Sequence, residues 1–158
     1  MSLPLPVPTL DAILLVPRRA ALDAFLGAGW VPWATPIGLD AERRRLLNVD
    51  LSEPEVCFRK DGDVVAVAHV EVDRDGHVTV VEVVGAEPAD PMRVSLALLG
   101  AGAAAPRTGG GADAREWVWG PESGATTAIQ GEAVRLWMCA ERAYGDRLWL
   151  VASVVRRP

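Results

Sequence analysis

The strongest pattern of hydrophobic and polar positions lies in the middle of the chain. Three strand-like runs occur there, near residues 55–60, 63–73 and 77–85. They are separated by Asp61-Gly62 and Asp75-Gly76, dipeptides that tight β-hairpin turns prefer. The pattern therefore predicts an antiparallel meander of three strands.

The second of these runs has a different character on each face. Alternation along a strand places one set of side chains together, namely Val65, Val67, His69 and Glu71. The opposite face carries Ala66, Ala68, Val70 and Val72. Because the second set is small and apolar, we expect it to pack against a helix.

Before the meander, the pattern predicts an extended start, a strand and two helices. Prolines at every second position favour an extended segment over residues 2–8. The apolar run "AILLVP" at 12–17 indicates a short buried strand. Apolar residues at helical spacing predict a helix from residue 18 that ends near Gly27 and Gly29. A second short helix is expected over 39–47.

After the meander, an almost wholly apolar helix is predicted over 91–105, packed on the sheet. The Gly-rich segment 100–112 is expected to be a flexible loop. A short strand, "REWVWG", follows it, with Trp117 and Trp119 on one face. The remaining elements are a weak helical turn over 123–131 and two strands, "EAVRLWMCAERA" and "RLWLVASVVRR", joined at Tyr144-Gly145-Asp146.

Length and composition fit one globular domain. The chain has 158 residues, half of them apolar and 23% charged. We divide it into an extended Pro-rich segment over 1–10 and a single domain over 11–158. Six tryptophans stand against one tyrosine and two phenylalanines. Trp137 and Trp149 fall in the terminal strands and are expected to be core or cross-strand neighbours.

Charge, apolar stretches and cysteine content argue against several classes of partner, location and site. The net charge of −5 disfavours nucleic acid, which needs a basic surface. No stretch approaches the roughly 20 apolar residues of a membrane span, and the N-terminus lacks the basic start of a signal peptide. Two distant cysteines are too few for a disulfide framework or a zinc site. The expectation is a cytoplasmic protein with reduced thiols and no metal.

The order of elements resembles the GNAT (GCN5-related N-acetyltransferase-like) superfamily. The resemblance covers most of the chain and is carried by the shape of residues 55–105, "VCFRKDGDVVAVAHVEV…VTVVEVVG…VSLALLGAG". It implies an α+β domain with a central, mostly antiparallel mixed sheet flanked by helices, in the order β-α-α-β-β-β-α-β-(α)-β-β. It also implies either an acyltransferase that uses acetyl-CoA or CoA, with an unknown acceptor, or a degenerate relative that has lost coenzyme binding and activity.

The resemblance also implies site residues. Glu82, on the same strand face as several valines, would be the general base. Tyr144, the sole tyrosine, would correspond to the general acid. The residues expected to bind the coenzyme are Val83, Val84, Gly85, Ala86 and Arg93. A carboxylate on an apolar face otherwise needs a partner such as an arginine, or a place at the sheet edge.

The turn at 85–94, "GAEPADPMRV", favours a structural connection over a pyrophosphate site. Pro88 and Pro91 lack the N–H groups that a phosphate requires. Asp90 followed by Pro91 is typical of a helix N-cap with proline at the first helical position. A carboxylate at that position would also repel a pyrophosphate.

Two other interpretations stay open. Without the first strand and the weak helix, the order α-βββ-α-ββ resembles the YbjN and type III secretion chaperone-like fold, which implies a non-enzymatic interaction module, usually a homodimer. A third interpretation is a small-molecule pocket lined by Trp30, Trp33 and Trp117. A parallel, splayed pair between 77–85 and 115–119 would favour the acyltransferase. A continuous antiparallel sheet with 12–17 outside it would favour the chaperone-like fold.

Overall fold

One antiparallel sheet dominates the computed structural model, which describes residues 5–33, 54–100, 105–111, 114–121, 127–141 and 147–155. The described helices are α1 (Leu10–Ile13), α2 (Arg18–Gly27) and α3 (Pro91–Leu99). The first strands are β1 (Val31–Pro32), β2 (Val56–Lys60), β3 (Asp63–Val72) and β4 (Val78–Pro88). The later strands are β5 (Arg107–Gly110), β6 (Ala114–Trp119), β7 (Thr127–Ile129), β8 (Glu132–Glu141) and β9 (Arg147–Val154).

The predicted meander is confirmed as β2, β3 and β4, which pair antiparallel in sequence order. At the first turn, Asp61 and Gly62 have φ angles of 54° and 87°. Positive φ at both central residues defines the hairpin turn that Asp-Gly favours. At the second turn, the Asp73 carboxylate accepts hydrogen bonds from the backbone N–H groups of Asp75 and His77, and Gly76 has a φ of 80°.

The last strands extend the meander into one continuous sheet. Its order is β1-β2-β3-β4-β9-β8-β6-β5, with β7 paired to β8. Strand β9 lies beside β4, with Val83 opposite Leu150 and Glu82 opposite Val151. The two C-terminal strands predicted from sequence are therefore confirmed, and the second of them returns to the centre of the sheet.

The predicted GNAT-like α+β fold, with a mixed sheet flanked by helices, is wrong. That fold needs β4 and β6 as a splayed parallel pair. Here both neighbours of β4, β3 and β9, are antiparallel to it, and β9 and β8 lie between β4 and β6. The segment between β4 and β6 is long enough for the crossover that a parallel pair requires. The parallel pair does not form because β9 pairs antiparallel with β4 and fills the place beside it.

The helices pack on one face of the sheet, which we call the inner face. Side chains of the helices, such as Phe25 and Leu98, form one hydrophobic cluster with Ala66, Val83 and Leu150 of the sheet. Most of the small apolar face predicted for β3 is confirmed by this cluster. Val72 is 43% exposed, because the register shifts between Glu71 and Val72.

The N-terminal elements agree with the sequence pattern only in part. Helix α2 is confirmed, but the strand predicted over 12–17 is wrong. Leu10, Ile13 and Leu14 have the spacing of one helical face, and all three are buried around α1. After α1 the chain does not form a strand beside β4. It contacts β4 through backbone hydrogen bonds that join residues 15 and 16 to Val78.

Three further predictions need correction, and two more lie outside the described residues. Helix α3 ends at Leu99, before a glycine with a φ of 84°, and does not reach residue 105. Residues 107–110 within the Gly-rich segment form β5, and residues 127–129 form β7 where a helical turn was predicted. The helix over 39–47 and the turn at Tyr144 fall on residues that are not described. No described helix is long and apolar enough to cross a membrane.

Candidate functional site

The face opposite the helices, which we call the outer face, carries a group of polar and aromatic side chains. Alternation along the strands points them the same way, and register aligns four of them in one row across β3, β4, β9 and β8. The row is His69, Glu82, Val151 and Trp137. Together with Trp149, two residues before Val151, these residues are named the outer cluster.

The outer cluster has a defined geometry. The indole Nε1–H of Trp149 donates a hydrogen bond to Oε1 of Glu82, at 2.9 Å. The rings of Trp137 and Trp149 meet edge to face, with centroids 5.4 Å apart and planes at 82°. All five side chains are half-buried. Two perpendicular indoles and a carboxylate therefore surround Val151 on three sides.

His69 completes the row at the far side of Glu82. It is the direct cross-strand partner of Glu82, and its Nδ1 atom is buried without a hydrogen-bond partner among the described residues. Buried polar atoms are nearly always satisfied in folded proteins, so such an atom marks a place that is not optimised for stability alone.

Among the described residues of the outer face, the thiol of Cys57 is poorly suited to act as a nucleophile. Cys57 lies on this face, in a small cluster with Val67 and Val84. Burial raises the pKa of its thiol, and the nearby Arg59 guanidinium offsets this only in part. A protonated, buried thiol is a poor nucleophile.

The residues predicted to bind a coenzyme are not arranged as a phosphate cradle. Val83, Val84, Gly85 and Ala86 lie inside β4, where Val83 and Val84 pair with β3 on one side and β9 on the other. Arg93 is exposed on α3. At the start of α3, the predicted N-cap is confirmed.

The N-cap explains why this helix end is a weak anion site. The Asp90 carboxylate accepts hydrogen bonds from the N–H groups of Met92 and Arg93, at 3.0 and 3.4 Å. The donors that would face a pyrophosphate therefore already have a partner, and that partner is negatively charged.

Acetyl-CoA is expected to leave the melting temperature of the protein unchanged. The coenzyme would have to displace the Asp90 cap or separate β4 from β9. A ligand at 100 times its Kd would instead add about 2.7 kcal/mol and raise the melting temperature by several degrees. Thermal denaturation with and without millimolar acetyl-CoA and CoA measures this, and a shift of several degrees would contradict it.

The three tryptophans proposed for a pocket do not come together among the described residues. Trp30 is 2% exposed and belongs to the inner core. Trp33 packs against the small cluster of the outer face. Trp117 packs against the inner core, with the Arg115 guanidinium 5.4 Å from its ring. Tyr144 lies outside the described residues.

A second group of polar side chains is explained by the turn that holds it. Possible ligand atoms of Asp73, Asp75 and His77 lie within 4.8 Å of one another. They border an open depression of about 630 Å³ that Glu132 also lines. The hydrogen bonds from the backbone of Asp75 and His77 to Asp73 account for their positions, so we assign this group to the β3–β4 hairpin.

The sequence singled out one residue of the outer cluster. Glu82 stood out as a carboxylate on an apolar strand face, and His69 was only placed on one face of the second strand with Val65, Val67 and Glu71. Trp137 and Trp149 were predicted to be core or cross-strand neighbours, and their rings are in contact. The hydrogen bond of Trp149 to Glu82 was missed because nothing in the sequence shows that β9 lies beside β4. No protein-family model matches the chain, and no curated protein or solved structure is significantly similar to it.

Proposed function

We propose that this domain is a non-enzymatic protein-interaction module that binds a partner polypeptide on the outer face of its sheet. The observation that carries the proposal is the outer cluster. Trp137 and Trp149 are only partly buried on a face where, in the described part of the chain, no helix packs. Tryptophan is enriched among the residues that dominate the binding energy of protein interfaces.

The arrangement of the sheet supports the same proposal. A continuous antiparallel sheet is expected of the chaperone-like alternative. Residues 12–17 form no strand of this sheet, and their backbone contacts it through a bridge of Pro17 to His77 and hydrogen bonds to Val78. An acyltransferase of the GNAT type would need separated strands beside β4, where β9 is paired. The half-buried aromatic face therefore favours binding over acyl transfer. Two buried cysteines, Cys57 and Cys139, fit a cytoplasmic location for the module.

Site-specific photo-crosslinking inside the cells that produce the protein tests whether a partner polypeptide binds the outer face. A photoreactive benzophenone amino acid replaces Ser153, a half-buried residue on the outer face two positions after Val151. The matched control carries it at Arg19 on α2, whose side chain is 87% exposed. We expect a discrete crosslinked product from position 153 and none from position 19.

The mass of the product identifies the kind of partner. A product of twice the mass of the chain would show a homodimer, and any other discrete mass would show a different polypeptide. Absence of a product at position 153, or the same product at both positions, would overturn the proposal.

A further inference from the structure

We propose that the exposed side of α3 is a dimer interface, on which a second copy of this chain packs its own α3 in the antiparallel direction. This inference goes beyond the proposed function, because α3 packs on the inner face of the sheet and the outer cluster lies on the other face. It depends on three features: the apolar exposed side of α3, the contrast with α2, and the position of the single charge on α3.

The side of α3 that points away from the sheet is nearly as apolar as the side that packs on it. Val94 and Leu98 are buried in the inner core. On the opposite side, Met92 and Leu96 are one turn apart and are 49% and 55% exposed. A helix that is apolar all round is usually buried, and contiguous exposed apolar residues mark interaction sites. The exposed side of α3 therefore has the composition of an interface.

Helix α2 shows how the same chain builds a helix side that meets water. Its exposed side carries an ion pair between Arg19 and Asp23, together with one large apolar residue, Leu26. The exposed side of α3 instead carries two large apolar residues, Ala97 and a single charge, Arg93. The contrast indicates that only α2 is built to face water.

The charge of Arg93 favours a second copy as the occupant. Arg93 is the only charged residue of α3 and lies in its first turn, where the positive end of the helix dipole disfavours a cation. The last turn contains no basic residue, although a cation is favourable there. An antiparallel second copy supplies that cation twice, because Arg93 of each copy then lies beside the last turn of the other.

The spacing along α3 fits this arrangement. With the two-fold axis beside Leu96, a residue before Leu96 in one helix is level with the residue equally far after it in the other. Arg93 is then level with Leu99 of the second copy, and Met92 is level with Gly100. A Cβ at Gly100 would have nothing within 4 Å, so there is room for the Met92 side chain. The small Ala97 side chain lets the two helices approach closely.

Sedimentation equilibrium of the full chain up to about 500 µM measures the dimer. One short helix from each copy buries less than the roughly 1,200–2,000 Å² of stable interfaces, so we expect a Kd on the order of 10–100 µM. Leu96→Glu places two carboxylates at the axis and should weaken the dimer at least about tenfold. Leu26→Glu is the matched control, a 41% exposed leucine on α2, and should leave the Kd within about twofold.

Arg93→Gln and Arg93→Lys test the charge that defines the antiparallel arrangement. Arg93→Gln removes the cation from both helix ends and should weaken the dimer about fivefold. Arg93→Lys keeps the charge and should leave the Kd within about twofold, because attraction to a helix end depends on charge rather than on the shape of the group. A contact made only by Met92 and Leu96 would not distinguish these two variants.

Three results would overturn the inference. The first is a chain that stays monomeric at about 500 µM. The second is a dimer that Leu96→Glu leaves intact or that Leu26→Glu weakens equally, because its contact would lie on another surface. The third is equal affinity of Arg93→Gln and Arg93→Lys, which would remove the reason for an antiparallel second copy. None of these results bears on the crosslink at position 153, which tests the outer face.

Discussion

Trp30→Ala is expected to lower the free energy of unfolding by about 3–5 kcal/mol, the range found for removal of a large buried aromatic side chain. The side chain is 2% exposed. Its ring meets Phe25 of α2 edge to face at 5.1 Å and lies 5.8 Å from Phe58 of β2. Its Nε1–H donates to the carbonyl of Pro6, so the same residue also fixes the extended N-terminal segment.

Urea denaturation of three variants measures this effect and separates its causes. Trp30→Phe keeps an aromatic ring but leaves the Pro6 carbonyl without its donor, so we expect a smaller loss of about 1–3 kcal/mol. Trp33→Ala is the control three residues away, where the side chain is only partly buried and the loss should be smaller than for Trp30→Ala. A loss below 1 kcal/mol for Trp30→Ala would instead support the pocket position predicted from sequence.

Trp30 and Trp33 also show what a local pattern can and cannot predict. Both flank the same proline, and the sequence treats them alike. The structure places them in different clusters, because β1 pairs with β2 and the chain crosses from the inner core to the outer face there. The side that each residue faces depends on this pairing, which is not a local property.

Elements specified by neighbouring residues were predicted well. The Asp61-Gly62 turn, helix α2 and the Asp90 cap each depend on residues within a few positions of one another. The hydrogen bonds and backbone angles that stabilise them form inside that window. The same reasoning explains why the three-stranded meander was predicted in the correct order.

Pairing between distant segments was not predicted, and the error in fold class came from it. The sequence order of helices and strands is compatible with β6 beside β4 or β9 beside β4. Val80 through Val84 are opposite residues 149–153, and nothing close to either segment in sequence specifies this register. A family resemblance carried by element order alone could not distinguish the two arrangements.

The same long-range pairing creates the candidate site. Glu82 and Trp149 are 67 positions apart and make a hydrogen bond only because β4 and β9 are neighbours. The sequence therefore identified Glu82 as a carboxylate in need of a partner but assigned it a catalytic role by analogy. In the structure this carboxylate accepts a hydrogen bond from the indole N–H of Trp149 on the outer face.

Gly110→Ala is expected to destabilise the protein by about 2–4 kcal/mol, combining backbone strain with steric overlap. Gly110 has a φ of +95°, and a Cβ there would lie 2.2 Å from the carbonyl oxygen of Ala114. The atoms that such a Cβ would meet, in Ala114 and Arg115, all belong to the backbone, so they cannot rotate away as a side chain could. The loss cannot exceed the free energy of separating β5 from β6, because the edge strand can detach while the rest of the sheet stays folded.

Gly109→Ala is the matched control one residue earlier on the same strand. A Cβ at that position has nothing within 4 Å, so the free energy of unfolding should change by less than about 0.5 kcal/mol. Urea denaturation gives the overall loss, and hydrogen exchange of the β5 and β6 amides shows whether these strands separate first. If the two variants behave alike, the segment 100–112 is the flexible loop that its glycine content predicts, and β5 contributes nothing to the stability of the sheet.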